Sequence, residues 1–391
     1  PDAAAPLWRG VQDPVGAGAH LDIGVGRIEG SVECGGGNRG WYRDYSRETT
    51  LYFTPKEGVK NGAPTAEFFM EIVTTSATLF NKGHHRIAVL TTFWVFGLII
   101  FGALVTSNDA GLSVPDWPTS FGSLYRIPPL NGGVFYEHIH RMIAQGAGLL
   151  TIVLAVWTQR VDGRGWMRKL GWTALGLVVA QGILGGLTVL FYLPPWISAA
   201  HATLGQTYFC VMVSLALFTS RGFVEKEDVR AGTTPLKPRE GLNGAPDERP
   251  RLTSLAYASV AAVWLQLLFG AAFRHNGLKV MWHLAWFVVV FTVLMWTMMR
   301  VLRGYREVAE LRRPVFWLMG LLTLQILLGF GAFVTRVVMS PISPEPRISL
   351  VITTVAHVAV GALVLANTVA LAIEARRHLA VTNEEAVETP G

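Results

Sequence analysis

Charge is what this sequence has least of. Only 15% of its 391 residues are Asp, Glu, Lys or Arg, against 51% hydrophobic residues and a mean hydropathy of +0.38. A soluble domain carries about 25% charge, so the composition excludes an ordinary water-soluble globule and indicates a membrane protein. Cysteine is nearly missing as well. Cys34 and Cys210 have no neighbours at metal-ligand spacing, and a disulfide framework is excluded by count. No secretory signal is visible at the N-terminus. The basic balance, a net charge of +6 and a pI near 9.5, forms no stripe that would read nucleic acid. Its arginines fall in particular loops, as membrane topology requires.

What is present is a series of apolar runs of about 20 residues, the length needed to cross a bilayer as a helix. They lie near 87–106, 138–157, 170–192, 199–219, 252–273, 280–301, 314–335 and 349–374. Unpaired backbone groups are not tolerated in lipid, so these runs predict helices and an all-α, polytopic fold. Lys and Arg alternate between the connections. Arg160, Arg164, Arg168 and Lys169 follow the second run, Arg221, Lys226, Arg230, Lys237 and Arg239 follow the fourth, and Arg303, Arg306, Arg312 and Arg313 follow the sixth. The connection YLPPWIS after the third run has no charge. The positive-inside rule then puts both termini in the cytoplasm and starts the even-numbered helices at the outer face.

The odd-numbered runs share a small-residue signature: GLIIFGALVTS (97–107), QGILGGLTVL (181–190), QLLFGAAFRHNGL (266–278) and QILLGFGAFVTR (325–336). Glycines of this kind let helix backbones approach closely, and packing alone accounts for them. Their recurrence divides the chain into two pseudo-symmetric four-helix bundles, at 70–219 and 252–376. A polar linker, 220–251, joins them and a cytoplasmic tail, 377–391, follows. Repeats of this kind place functional sites within or between the halves. Residues 1–69 are Gly-rich and polar without sustained periodicity, and read as a polar extension, disordered or foreign to the native chain.

Of ten histidines, His20, His84, His85 and His378 fall outside the apolar runs, where solvated polar roles are the default. His140, His201, His283 and His357 each fall in the first turns of an even-numbered helix, two to a half. A lone histidine there is usually a hydrogen-bonded structural residue. Four at equivalent places in a repeat point instead to facing imidazoles on different helices, the arrangement that holds haem iron. Zinc or copper would want further ligands, and only Glu137 is at hand.

Glu137 also separates the halves. It precedes His140 by three residues and so shares a helix face with it; the matching positions are Ser198, Val280 and Thr354. A carboxylate beside a haem can handle protons in oxygen chemistry, whereas an electron-transferring haem needs none. Glu137 could equally be an interfacial partner of Arg141. His138, adjacent in sequence to a residue of the other face, is expected to point away from His140. Arg141, Arg274 and Arg336 are candidates to pair with haem propionates, or with lipid headgroups. Trp117, in the turn-rich NDAGLSVPDWPTSFG, is a candidate interface anchor, and Cys210 reads as core packing.

The segments GLSVPDWP, EHIHR, QGILGG…HATLGQ and QLLFGAAFRHNGL…WH, in that order, resemble the haem A synthase family over residues 83–374. The resemblance implies two pseudo-symmetric bundles and oxidation of a haem O methyl group to a formyl group by successive O2-dependent hydroxylations. It implies Glu137 as catalytic residue, His140 and His201 as ligands of the substrate haem, and His283 and His357 as ligands of a prosthetic haem b. The implied setting is a bacterial plasma membrane with the haem sites near its outer face. Haem O synthase would act upstream, cytochrome oxidase assembly would lie downstream, and an electron donor of unidentified kind would serve the reaction. Two features depart from the family: residues 107–136 lack the cysteine pair some members carry, and the arginine that many members place after the first run is missing from LVTSNDAGL. A dihaem b-type cytochrome exchanging electrons with quinone would share the bundles and histidines and leave Glu137 incidental. A transporter, suggested by the repeat alone, would show broken helices and mid-membrane charges, of which there is little sign.

Overall fold

The architecture comes from a computed structural model that describes strand residues between Leu21 and Glu71 and residues 80–123, 127–224, 249–339 and 348–384. Most of the linker 220–251 and the end of the tail 377–391 lie outside the described residues.

The chain divides into two units. In the upstream one, read above as a polar extension, β1 (Leu21–Ile23) and β2 (Gly26–Ile28) pair antiparallel. β3 (Val32–Glu33), β4 (Gly40–Asp44), β5 (Thr49–Lys60) and β6 (Ala63–Glu71) form an antiparallel meander in chain order.

From Phe80 onward the described residues are helical, apart from one isolated bridge between Ser120 and Ser123. The helices are α1 (Lys82–Ser107), α2 (Gly133–Val161), α3 (Gly165–Leu190), α4 (Pro195–Phe218), α5 (Arg249–Arg274), α6 (Val280–Gly304), α7 (Ala309–Phe333) and α8 (Ile348–Glu384). All eight are long and apolar enough to cross a membrane, and the chain is an integral membrane protein. The expected all-α, eight-span fold is met from Phe80 onward, while the strands of the upstream unit lie outside that expectation.

The helices run past the apolar windows because polar ends find local partners. Asn81 caps α1, its side-chain oxygen accepting from the His84 amide at 2.9 Å. Pro195 opens α4, where its missing N–H costs nothing. α7 ends in a π-turn, Val334–Val338, that carries Arg336. Within the spans, Thr91, Thr151 and Thr158 return their hydroxyls to the carbonyl one turn back. His84 corrects the sequence reading. It is 4% exposed rather than solvated, with Nε2 2.8 Å from the Thr158 hydroxyl.

In the first half, α1 to α4 pack each on the next and α4 closes on α1. In the second, α5 packs on α6, α7 on α8 and α5 on α8, while α6 and α7 meet only slightly. α1 and α4 lie against α8, and α4 against α5, forming one seam. Each half has its own core. Val95, Leu154, Met167, Tyr208 and Met212 fill the first, with Ala362 and Ala366 of α8; Leu252, Leu294, Met298, Leu318 and Leu365 fill the second, with Cys210 of α4. Cys210 is therefore core packing, as its sequence suggested. The outward residues are apolar too, with Phe93, Trp317 and Phe330 each 71% exposed. Such a surface is suited to hydrocarbon rather than water.

Candidate functional site

One local unit occurs four times. A glycine in the C-terminal part of an odd-numbered helix faces the imidazole of a histidine near the start of the following even-numbered helix. A Cβ added at Gly102 would lie 3.1 Å from His140 Cε1, and at Gly185 3.0 Å from His201 Cε1. The corresponding distances are 3.0 Å for Gly270 and His283 and 2.9 Å for Gly329 and His357. These distances fall inside ordinary contact, so the rings sit in notches that only glycine leaves open.

Four residues before the notch glycine, the odd helix also touches the ring. His201 Nδ1 is 3.2 Å from the Gln181 carbonyl, and His283 Nδ1 is 3.2 Å from the Gln266 carbonyl. A carbonyl can only accept, so in these two residues Nδ1 carries the proton and Nε2 is the nitrogen with a lone pair, the usual second-shell device for a metal-binding histidine. In the other two notches the Leu98 and Gln325 carbonyls contact the His140 and His357 rings more weakly, and the buried Nδ1 atoms find no partner of full hydrogen-bond geometry.

The two rings of the second half face one another, their centroids 6.3 Å apart and their planes 81° apart. That is about the spacing two imidazoles take when a single metal ion lies between their facing nitrogens at a bond length of about 2 Å. His140 and His201 are likewise close enough to interact electrostatically. Among the described residues no group of three or more His, Cys, Asp or Glu could hold an ion by itself. Two axial imidazoles in glycine notches therefore fit a metal whose other ligands come with it, as in a haem, and do not fit a zinc centre.

Glu137 is 3% exposed and fully engaged. Its Oε1 pairs with Arg141 at 2.6 Å and its Oε2 accepts from the Val114 amide at 2.8 Å. Arg141 also donates to the carbonyls of Asp116, Thr119 and Val114, at 2.6, 2.9 and 3.1 Å. The structure thus turns Arg141 into the connection after α1 rather than leaving it for an anion. His138 faces the same connection, Nδ1 lying 3.2 Å from the Ser120 hydroxyl. Trp117 presses on Gly186 of α3. The connection covers the start of α2 and is pinned there by Glu137 and Arg141; its counterpart in the second half is only the short turn 275–279.

That covering segment is organised around Asp116, whose carboxylate accepts from the Thr119 hydroxyl and from the Phe121 and Gly122 amides at 2.7 and 2.8 Å. Burial works to raise this carboxyl, but the three hydrogen bonds outweigh it and hold it below its ordinary value of 3.8. A depressed carboxyl stabilises the fold above the unfolded value and loses that contribution as pH falls through the folded one. Amide exchange at Phe121 and Gly122 should therefore be slow at neutral pH and accelerate below about pH 4. Asp116→Asn should remove the pH dependence.

The remaining cations converge where the two halves meet. Arg274 Nη2 donates to the Ser107 hydroxyl at 2.7 Å, and Ser107 is 2.9 Å from the Thr354 hydroxyl, so the ends of α1 and α5 and the start of α8 are tied together. Arg336 Nη2 reaches the Arg274 carbonyl at 3.4 Å. Arg274 Nη1 is buried with no hydrogen-bond partner, an orphan donor of the kind an anionic group would satisfy. Beside it stands His275, which the histidine pattern missed because it follows an odd-numbered helix. Burial, then Arg274, His201 and Arg336 in that order, push its imidazole down to about 4, so it is neutral at pH 7.

The chain is similar to the Heme A synthase of Shouchella clausii, 31% identical over 137 residues, which are 34% of this chain and 45% of that protein. It is also similar to the Heme A synthase of Symbiobacterium thermophilum, 27% identical over 198 residues, 50% of this chain and 60% of that protein. A third such relative, from Lysinibacillus sphaericus, is 32% identical over 133 residues, 33% of this chain and 43% of that protein. The chain thus spans about half the length of the curated relatives it matches. Residues 85–282, just over half of the chain, match the model of one family, COX15-CtaA, and this stretch holds two of the four notched histidines, His140 and His201, and the Glu137–Arg141 pair. By that match the chain belongs to the family described as cytochrome oxidase assembly protein.

Proposed function

We propose that this protein is a haem A synthase, oxidising a methyl group of haem O to a formyl group by successive O2-dependent hydroxylations. The observation that carries the reading is the unequal pair of sites: four histidines seated in the same notch, and one of them alone with a buried carboxylate one turn away. On this reading His140 and His201 hold the substrate haem O, and His283 and His357 hold a prosthetic haem b. An iron porphyrin bound between two imidazoles supplies one-electron chemistry, tuned by its axial ligands. The protein supplies the rest. Gln181 and Gln266 fix the tautomers of His201 and His283. The segment from Val114 to Gly122 keeps water from the start of α2. Glu137 holds or passes a proton at its carboxylate, within the shelter of that segment. Arg274, with its orphan Nη1, and Arg336 receive propionates near the seam; Arg141 has its donors on the covering segment and serves that role least. The setting is a bacterial plasma membrane with both termini cytoplasmic and the sites toward the outer face. Haem O synthase acts upstream, oxidase assembly lies downstream, and an electron donor completes the reaction.

One observation favours a second reading. Glu137 is fully committed to Arg141 and Val114, which suits a structural carboxylate in a dihaem b-type cytochrome. Extraction of haem from the purified protein, after co-expression with a haem O source, separates the two. Haem B together with haem O or A is the expected result. Haem B alone, with haem O abundant, would overturn the synthase reading.

A further inference from the structure

We infer that Leu98 makes His140 the releasable axial ligand, so that the first-half haem enters and leaves by detachment of His140 while His201 stays seated. The inference rests on the haem-binding reading above and assigns a positioning role to a residue with no chemistry of its own.

Three of the four notches carry a glutamine that the fourth lacks. The residue four before the notch glycine is Gln181, Gln266 or Gln325, but in α1 it is Leu98. Two of the glutamine amides cross-link to the backbone of the histidine-bearing helix. Gln181 Nε2 donates to the His201 carbonyl at 2.8 Å and Gln266 Nε2 to the His283 carbonyl at 3.1 Å. Gln266 Nε2 also lies 3.3 Å from His283 Nε2, and Gln325 Nε2 lies 3.4 Å from His357 Nε2, ring contacts that would give way to iron at those nitrogens. The partner helix makes room for two of them. A Cβ at Gly205, one turn after His201, would meet the Gln181 amide at 3.0 Å, and one at Gly361, one turn after His357, would meet the Gln325 amide at 3.2 Å.

Leu98 can form no such link, since its side chain has no donor. The turn of α2 that bears His140 is tied instead from outside the bundle, through Glu137 to Val114 and through Arg141 to the carbonyls of Val114, Asp116 and Thr119. In the first half, therefore, His201 is cross-linked to its notch, as His283 is in the second, whereas His140 is anchored to a surface connection. A haem that must be taken up, altered and given away needs one ligand of each kind.

The test is haem loss from the full chain, loaded with haem B in both halves, to an excess of apomyoglobin. Two phases are expected, with the fast one absent in His201→Ala. Leu98→Gln should slow the fast phase by about tenfold, the effect of one added hydrogen bond near the top of its usual range, and leave the slow phase alone. Gln266→Leu should accelerate the slow phase alone by a similar factor. A fast phase indifferent to Leu98→Gln, or a slow phase indifferent to Gln266→Leu, would overturn the assignment while leaving the two-haem reading intact. A wild-type protein that retains fewer than two haems would overturn that reading, and this inference with it.

Discussion

Glu137→Gln should lower haem A formation by about a hundredfold or more, the loss expected when a positioned acid–base group is removed, with haem B occupancy and spectrum unchanged. Glutamine is the informative substitution because Glu137 has two duties. Its Oε2 accepts from the Val114 amide and its Oε1 holds Arg141. Alanine would end both and leave a largely buried guanidinium without its counter-ion, a loss of about 3–5 kcal/mol where a buried pair is broken. Glutamine keeps one carbonyl acceptor for the amide, and Arg141 keeps its three backbone carbonyls. The covering segment then stays in place while the titrating group is gone. Haem extraction and chromatography read the result. Undiminished haem A in this variant would make Glu137 structural and return the protein to the electron-transfer reading.

A second large effect is expected from the smallest possible addition. Gly329→Ala places a methyl group 2.9 Å from His357 Cε1, closer than carbon atoms pack, so the imidazole must leave the position from which it faces His283. Overpacking of this kind costs about 1–3 kcal/mol, which is about tenfold or more in occupancy. The expected outcome is loss of the bis-histidine low-spin spectrum and a fall of haem B to less than half of its wild-type content. Gly320→Ala, on the same helix with nothing within 4 Å of the added carbon, is the matched control and should bind normally. Equal haem content in the two variants would mean that His357 does not need its notch. Gly270→Ala, at 3.0 Å from His283 Cε1, should reproduce the defect from the opposite face.

The features legible in the sequence were those set by one segment at a time. Eight apolar runs gave eight helices because hydrocarbon leaves the backbone no alternative, though α2 begins at Gly133, ahead of the apolar window that began at 138. The four histidines stood out because their spacing repeats. What pairs across helices was hidden. The glycines were visible as packing residues, yet nothing in one segment says that the object packed against Gly102 or Gly270 is an imidazole. The glutamines of QGILGG, QLLFG and QILLG lay in plain sight within the same signature, and the missing fourth, Leu98, could have been noticed by alignment of the chain with itself. His84, taken as solvated, is buried against Thr158 because α1 begins earlier than its apolar window. Arg141 looked available for a propionate, but the backbone carbonyls that claim it belong to a turn whose shape no periodicity encodes.

The seam between the halves has a consequence for how the protein is made. α8 carries His357 of the second site, contributes Ala362 and Ala366 to the first core, and bonds Ser107 through Thr354. It leaves the ribosome after the seven helices described above. The first four helices are inserted long before it, and until it arrives α1 and α4 present to lipid the faces they will later bury, Ser107 among them. Neither half's core is complete, therefore, before α8 is in place, and a nascent chain interrupted ahead of α8 would lack part of both.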